Sequence, residues 1–235
     1  MLHVDSLTKK FGRLEVLNSI QLEFQKGTVT GILGPNGSGK TTLIKCLLGL
    51  CHFEKGNIAL NAISIKSEKE YKSYFGYMPQ IGRYPENMSI GDLFELLVSL
   101  RNQPENELDL ELWELFKLEN IKSQRLGKLS GGTVQKVSAA LAYLFKPEVI
   151  VLDEPTAGLD PLATEIMKEK IRKESSGKIT LITSHILNDL DELCSHIVFL
   201  NNHKIAFSKS MKELKASRQG LTLNQIVAQL LQGEA

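Results

Sequence analysis

Hydrophobic positions along this chain change their period several times. "LHVDSLTKKFG", "VLNSIQLEFQKG" and "VTGILGPNG" mix apolar and polar residues in short runs and read as short strands separated by Gly12 and Gly27. From Lys40 to Leu50 the apolar residues Leu43, Ile44, Leu47 and Leu48 recur at helical spacing. "GNIALNAISI" and "YFGYMP" read as further strands. From about Asn87 to Phe145 the pattern turns helical, and "SIGDLFELLVSLR", "ENELDLELWELFKLE" and "GGTVQKVSAALAYLF" are predicted as amphipathic helices. "EVIVLDEP" is apolar without alternation, as a parallel strand covered on both faces requires. "PLATEIMKEKIRKE" predicts a helix with Pro161 in its first turn. A strand "KITLITS", a helix "ILNDLDELC", the strands "HIVFLNN" and "KIAFS", and a helical tail from Met211 to Gln232 follow. The pattern predicts one α/β domain over residues 1–235, a βαβ core interrupted by a helical insert at approximately 87–145.

Composition narrows the function classes. The formal net charge of the 235 residues is +1, which gives no general electrostatic grip on nucleic acid. Cys46, Cys51 and Cys194 have neither zinc-site nor disulfide-framework spacing and read as reduced thiols. The N-terminus "MLHVDSLTKKFG" lacks the apolar run of a signal peptide, and no apolar run approaches the length of a membrane span. Any membrane partner is therefore expected to be another polypeptide.

Two stretches carry phosphate chemistry. "GPNGSGKT", Gly34 to Thr41, matches G-x-x-x-x-G-K-[ST] in full, follows a predicted strand and opens a predicted helix. Gly34, Pro35, Asn36, Gly37, Ser38 and Gly39 form the loop, and N–H groups from Gly37 to Thr42 can point inward as an anion nest. Lys40 is placed for the β- and γ-phosphates of a nucleotide and the Thr41 hydroxyl for Mg²⁺. "VIVLDEP" ends a buried strand on two acids, where open α/β sheets bind ligands. Asp153 is expected to hold Mg²⁺ through water, and Glu154 to act as general base on the attacking water. The second phosphate-binding pattern is "LSGGTVQK", in which Ser130, Gly131 and Gly132 lead into a helix. Taken alone it is either an ordinary helix cap or a site for a phosphate held by a different molecule.

In order and spacing, the phosphate loop, "LSGGTVQK", "VIVLDEP", "AGLD" and "TSH" resemble an ABC-type ATPase over nearly the whole chain. That resemblance implies a P-loop core with a mostly parallel sheet, an N-terminal antiparallel β region and an inserted helical subdomain. It implies hydrolysis of ATP with Mg²⁺ to power a separate membrane permease, at the cytoplasmic face of the membrane and without nucleic acid. By the same resemblance Gln80 contacts Mg²⁺ and the attacking water, Asp160 is the D-loop aspartate, and His185 is the switch histidine near the γ-phosphate. Phe11 matches the ring that stacks on adenine, where tyrosine is more usual; its π-face suffices for stacking. The resemblance also implies a role for "LSGG". Ser130, Gly131 and Gly132 face ATP bound to the opposite subunit of a homodimer, or of a pair with a paralogous ATPase. Thr133 stands where glutamine is usual, which implies altered contacts at the helix start. The segment "IGRYPENMSIGDLFELL" and the short tail are similar to ATPases of ABC-2-type exporters, and among those to the nitrous-oxide-reductase maturation group.

Several residues have plainer readings. His3, His52, His196 and His203 lack ligand spacing. Trp113 reads as core of the helical insert, and "KEKIRKESSGK", with its mixed signs, as a solvated helix face. Two rival functions remain at this level. A soluble ABC protein acting on ribosomes or DNA usually has two cassettes or long coiled-coil insertions, and a P-loop kinase needs neither "LSGG" nor a switch histidine.

Overall fold

The computed structural model describes residues 1–66, 68–217 and 221–232. The chain opens with β1 (Leu2–Phe11), β2 (Leu14–Phe24) and β3 (Thr28–Leu33), followed by α1 (Lys40–Leu47), β4 (Lys55–Leu60) and β5 (Ile63–Ser64). Then come α2 (Glu68–Ser73), β6 (Phe75–Met78), α3 (Ile90–Arg101), α4 (Glu111–Leu115) and α5 (Gly131–Tyr143). The second half continues with β7 (Val149–Asp153), α6 (Pro161–Ser175), β8 (Ile179–Thr183), α7 (Leu187–Leu193), β9 (His196–Asn201) and β10 (Lys204–Ser210). Helices α8 (Met211–Ser217) and α9 (Leu223–Gln232) make the tail; residues 218–220 of the predicted helical tail lie outside the described residues.

The strands form two sheets. One is antiparallel in the order β2-β1-β4-β5. The other has the order β10-β9-β3-β8-β7-β6, parallel except for β10 at its edge. The mostly parallel core and the N-terminal antiparallel region are as the resemblance implies. Strands β1 and β2 are longer than expected, at 10 and 11 residues, and their pairing is interrupted by register shifts.

Packing explains why the apolar run of β7 does not alternate. Val149 and Val151 pack into the core shared with α1 and the antiparallel sheet, while Ile150 and Leu152 pack into the core shared with α3, α5 and α6. Both faces are dry, so Val149 to Leu152 are all apolar, and only Asp153 at the strand's end is polar. Helix α1 contributes Leu43, Ile44, Cys46 and Leu47 to the first of these cores. It is thereby fixed between the two sheets with its N-terminus at the carboxyl end of β3. Trp113 belongs to the other core, with its ring 4.7 Å from that of Phe94.

Two expectations need correction. "ENELDLELWELFKLE" is not one helix; it gives a 3₁₀ turn at Glu105–Glu107, the short α4, and a second 3₁₀ turn at Leu118–Ile121. Tertiary bonds override the local pattern: Asp109 N–H donates to the carbonyl of Leu144 at 2.8 Å, and Lys117 takes a left-handed conformation with φ 53°. Nor is "KEKIRKESSGK" simply a solvated face. The Lys170 side chain is 1% exposed and pairs with Asp109 at 2.6 Å, Glu111 at 2.7 Å and Glu174 at 3.3 Å. Lys168 pairs with Asp189 at 2.9 Å and Glu192 at 2.7 Å.

Candidate active site

The site grows from the ends of parallel strands. Helix α1 follows β3 after the loop Gly34–Gly39, and Gly39 is its N-cap, with φ 107° and no side-chain cap. Only glycine fits there, since a Cβ would stand 2.7 Å from the carbonyl oxygen of Val16. The first helical bond of α1 runs from Leu43 N–H to the carbonyl of Gly39, so the N–H groups of Lys40, Thr41 and Thr42 have no partner within the helix. An uncapped helix end with no acid in its first turn is suited to an anion. Lys40 Nζ donates to the loop carbonyls of Gly34 at 2.7 Å and Pro35 at 3.1 Å. Burial pulls its pKa below the ordinary lysine value, with Asp153 and Glu154 opposing that pull.

These groups border a cavity of about 410 Å³ whose lining includes Asn36, Gly37, Gly39, Lys40, Thr41, Thr42, Gln80, Asp153, Glu154 and His185. Val16, Thr183 and Ser184 complete the lining. The register of the sheet explains one alignment: Asp153 and Thr183 are paired residues of β7 and β8, and the buried Thr183 hydroxyl donates to Asp153 Oδ1. Glu154 follows with φ 56°, a sparsely populated backbone state for a residue with a side chain, held by its N–H bond to the Thr183 carbonyl at 3.0 Å. Its Oε1 lies 2.9 Å from His185 Nε2. Three motifs far apart in sequence thus converge on one concave surface with a cation, two acids and an imidazole.

Other predicted residues stand outside this cavity. Gly34, Pro35 and Ser38 belong to the loop but not to the cavity lining, and the Ser38 hydroxyl is buried without a hydrogen-bond partner among the described residues. Phe11, at the end of β1, is 54% exposed, with Lys9 Nζ 4.8 Å from its ring centroid. Ser130 lies at the surface; its hydroxyl caps α5 by accepting from Thr133 N–H at 3.2 Å and lies 2.8 Å from the Thr133 hydroxyl. A Cβ on Gly131 would meet nothing within 4 Å, whereas one on Gly132 would stand 2.8 Å from the carbonyl oxygen of Gly158. Asp160 caps α6 by accepting from Ala163 N–H at 2.9 Å and pairs with Lys136 at 2.6 Å. The bonds from Lys136 and from that N–H hold its carboxyl below the usual range.

Sequence reasoning missed Val16, Thr183 and Ser184 in the lining. Thr183 and Ser184 stand beside His185 in the quoted "TSH", and the pairing of Thr183 with Asp153 emerges only when β7 and β8 are laid side by side. Nothing in the local pattern marks Val16.

Fold and cavity together define a P-loop nucleotide-hydrolysing domain. The sequence profile described as "ABC transporter" matches residues 17–157, more than half of the chain, and the protein belongs to that family. It is 34% identical over 222 residues to the uncharacterised ABC transporter ATP-binding protein YhaQ of Bacillus subtilis, covering 92% of this chain and 74% of the relative. It is 36% identical over 207 residues to the Nod factor export ATP-binding protein I of Burkholderia lata, covering 86% and 68%. Among solved structures, an ATP-binding subunit of an ABC transporter superimposes with TM-score 0.93 at 26% identity, covering 98% of this chain and 99% of the other. The fold is also that of the dimeric bacterial cassette MJ0796, with TM-score 0.79 at 22% identity over 90% of this chain and 99% of the other. The chain is an ATP-binding cassette subunit of a transporter, an ATPase by family. Among the described residues no helix is long and apolar enough to cross a membrane.

Proposed function

We propose that this chain hydrolyses Mg-ATP at a composite dimer interface and drives a separate membrane permease from the cytoplasmic side. One observation carries the proposal: the catalytic cavity gathers Lys40, Thr41, Gln80, Asp153, Glu154 and His185, yet the Ser130–Gly132 turn lies outside it at the surface. A turn of that chemistry without a phosphate in its own chain is suited to the nucleotide of a second copy or a paralogous partner.

The residues divide the work as follows. The uncapped N-terminus of α1 and Lys40 receive the β- and γ-phosphates. Mg²⁺, when bound, supplies neutralisation of charge on those phosphates, and the Thr41 hydroxyl, Asp153 and Gln80 are the groups that would hold it. The donor set fits a hard cation, being all oxygen, and the Thr183 hydroxyl on Asp153 Oδ1 fixes that carboxylate in place. Glu154 accepts a proton from the attacking water, and His185, 2.9 Å away, orients its carboxylate. Phe11 offers an exposed ring for adenine, and Asp160 stiffens the turn before α6.

The exporter reading rests on the similarity to Nod factor export ATP-binding proteins and on the sequence likeness to ABC-2-type ATPases. The segment "IGRYPENMSIGDLFELL" after Gln80 is the stretch we assign to permease contact, and it presents exposed Ile81 and Leu96. The narrower likeness to nitrous-oxide-reductase maturation ATPases rests on that segment and the tail alone.

A mixed dimer tests the composite site. One chain carries Lys40→Ala and the other Gly131→Asp, with Glu154→Gln in both. Gly131 is chosen because its substitution meets open space, while Gly132 abuts the Gly158 backbone. One site of this dimer joins an intact loop to an intact turn and is expected to occlude one ATP per dimer. A verified mixed dimer that occludes none would return "LSGGTVQK" to the role of a helix cap.

A further inference from the structure

Gln135 lies on α5 just past the Ser130–Gly132 turn and is 7% exposed. Its Nε2 donates to the main-chain carbonyl of Gln80 at 3.0 Å. Its Oε1 is buried and accepts no hydrogen bond among the described residues. A buried amide satisfied at one end costs stability, and an apolar side chain of similar volume would avoid that cost. Something other than packing therefore accounts for an amide here. Further along α5 the same loop is gripped again. Tyr84 Oη lies 2.8 Å from Ser138 Oγ, and a Cβ on Gly82 would stand 2.4 Å from Ser138 Oγ and 3.0 Å from Val134 Cγ1. The segment from Gln80 to Tyr84 is thus bound to one face of α5 at positions three residues apart. Of these attachments, only the one at Gln135 holds a residue that lines the catalytic cavity.

We propose that Gln135 is a positioning residue for Gln80: it fixes the main chain from which the Gln80 side chain reaches the Mg²⁺ position and the attacking water. The inference rests on the role given to Gln80 above. It makes α5 a single lever, with the Ser130–Gly132 turn at its start and a grip on its own chain's Gln80 about one turn later.

The test is a double-mutant cycle on ATP hydrolysis by the purified full chain. Gln135→Met removes the donor at nearly constant volume. It is expected to lower kcat about tenfold while leaving KM for ATP within about twofold, because orientation and not nucleotide binding is lost. The melting midpoint should stay at or above that of the parent. Gln80→Ala keeps the main-chain acceptor and removes the side chain being positioned. In that background, adding Gln135→Met is expected to lower kcat by less than about twofold, since nothing is left to position. A further tenfold loss there would place the effect in the fold or in the signature turn and overturn the proposal. Parental kcat in Gln135→Met would overturn it too. Parental kcat in Gln80→Ala alone removes the role of Gln80 and this inference with it, an outcome distinguishable from the others by the variant that shows it. If Gln135→Met lacks a cooperative melting transition, Gln135→Glu, which loses the donor and keeps the size, is judged by the same two ratios.

Discussion

Lys170 offers a measurable account of what ties the helical region to the core. Its ammonium, 1% exposed, sits among Asp109, Glu111 and Glu174, and two of these belong to the segment around α4. Lys170→Met keeps the stem and deletes the charge, leaving three carboxylates facing one another. Removing one partner of a buried ion pair costs about 3–5 kcal/mol. Glu111 and Glu174 are 33% and 24% exposed, so solvent relieves part of this and the lower end, about 3 kcal/mol, is the expectation. With an unfolding entropy of about 2.1 cal/mol/K per residue, a chain of 235 residues should lose about 6 °C in melting midpoint. Calorimetry and urea denaturation of parent and variant measure this directly. The pH dependence has a definite sign. Glu111 is held below its ordinary pKa by its bonds to Lys170 and Lys173, so its contribution is present above the unfolded value of roughly 4.3 and is lost as pH falls through the folded one. Burial alone would lower the pKa of Lys170, but its bonds to Asp109 and Glu111 outweigh burial and raise it. Its contribution is therefore complete below the unfolded value of roughly 10.4 and is lost as pH rises through the folded one. The gap between parent and variant should be widest between these limits and narrower in acid, where the bond between Glu111 and Lys170 is lost from the parent as well. Adding Asp109→Asn and Glu111→Gln to Lys170→Met should recover most of the loss. A variant within about 1 kcal/mol of the parent at neutral pH would refute the account, because such a value belongs to exposed pairs.

Further outcomes follow from the site. Lys40→Ala should abolish ATP hydrolysis and weaken nucleotide binding sharply, and near-normal turnover would remove Lys40 from the phosphate site. Glu154→Gln should bind ATP without hydrolysing it and accumulate ATP-dependent dimers, seen by light scattering; a chain that stays monomeric with Mg-ATP at high concentration counts against it. Thr133→Gln should leave hydrolysis within about tenfold of the parent, roughly 1.4 kcal/mol in barrier, even though it deletes the Thr133 hydroxyl that lies 2.8 Å from Ser130 Oγ. A gain of several hundredfold would show that the native turn is disabled.

Much of this protein is legible from the chain alone. The phosphate loop, the two acids ending β7 and the strand and helix periods are local patterns, and local patterns survive without tertiary context. The doubly covered sheet is foreseeable from "VIVL" because a strand dry on both faces cannot alternate. Tertiary structure decided what depends on residues distant in sequence. The ion pairs of Lys170 reach back 59 and 61 positions, so a run that looks solvated carries a buried charge. The predicted helix "ENELDLELWELFKLE" breaks because Asp109 N–H bonds to Leu144 and its carboxylate to Lys170. The pairing of Thr183 with Asp153, the grip of Gln135 on Gln80 and the tie between Lys136 and Asp160 likewise need elements to be laid beside one another. Periodicity records which face of an element is dry; it carries no record of which polar group on another element will meet a given side chain, and that meeting is what shapes the site.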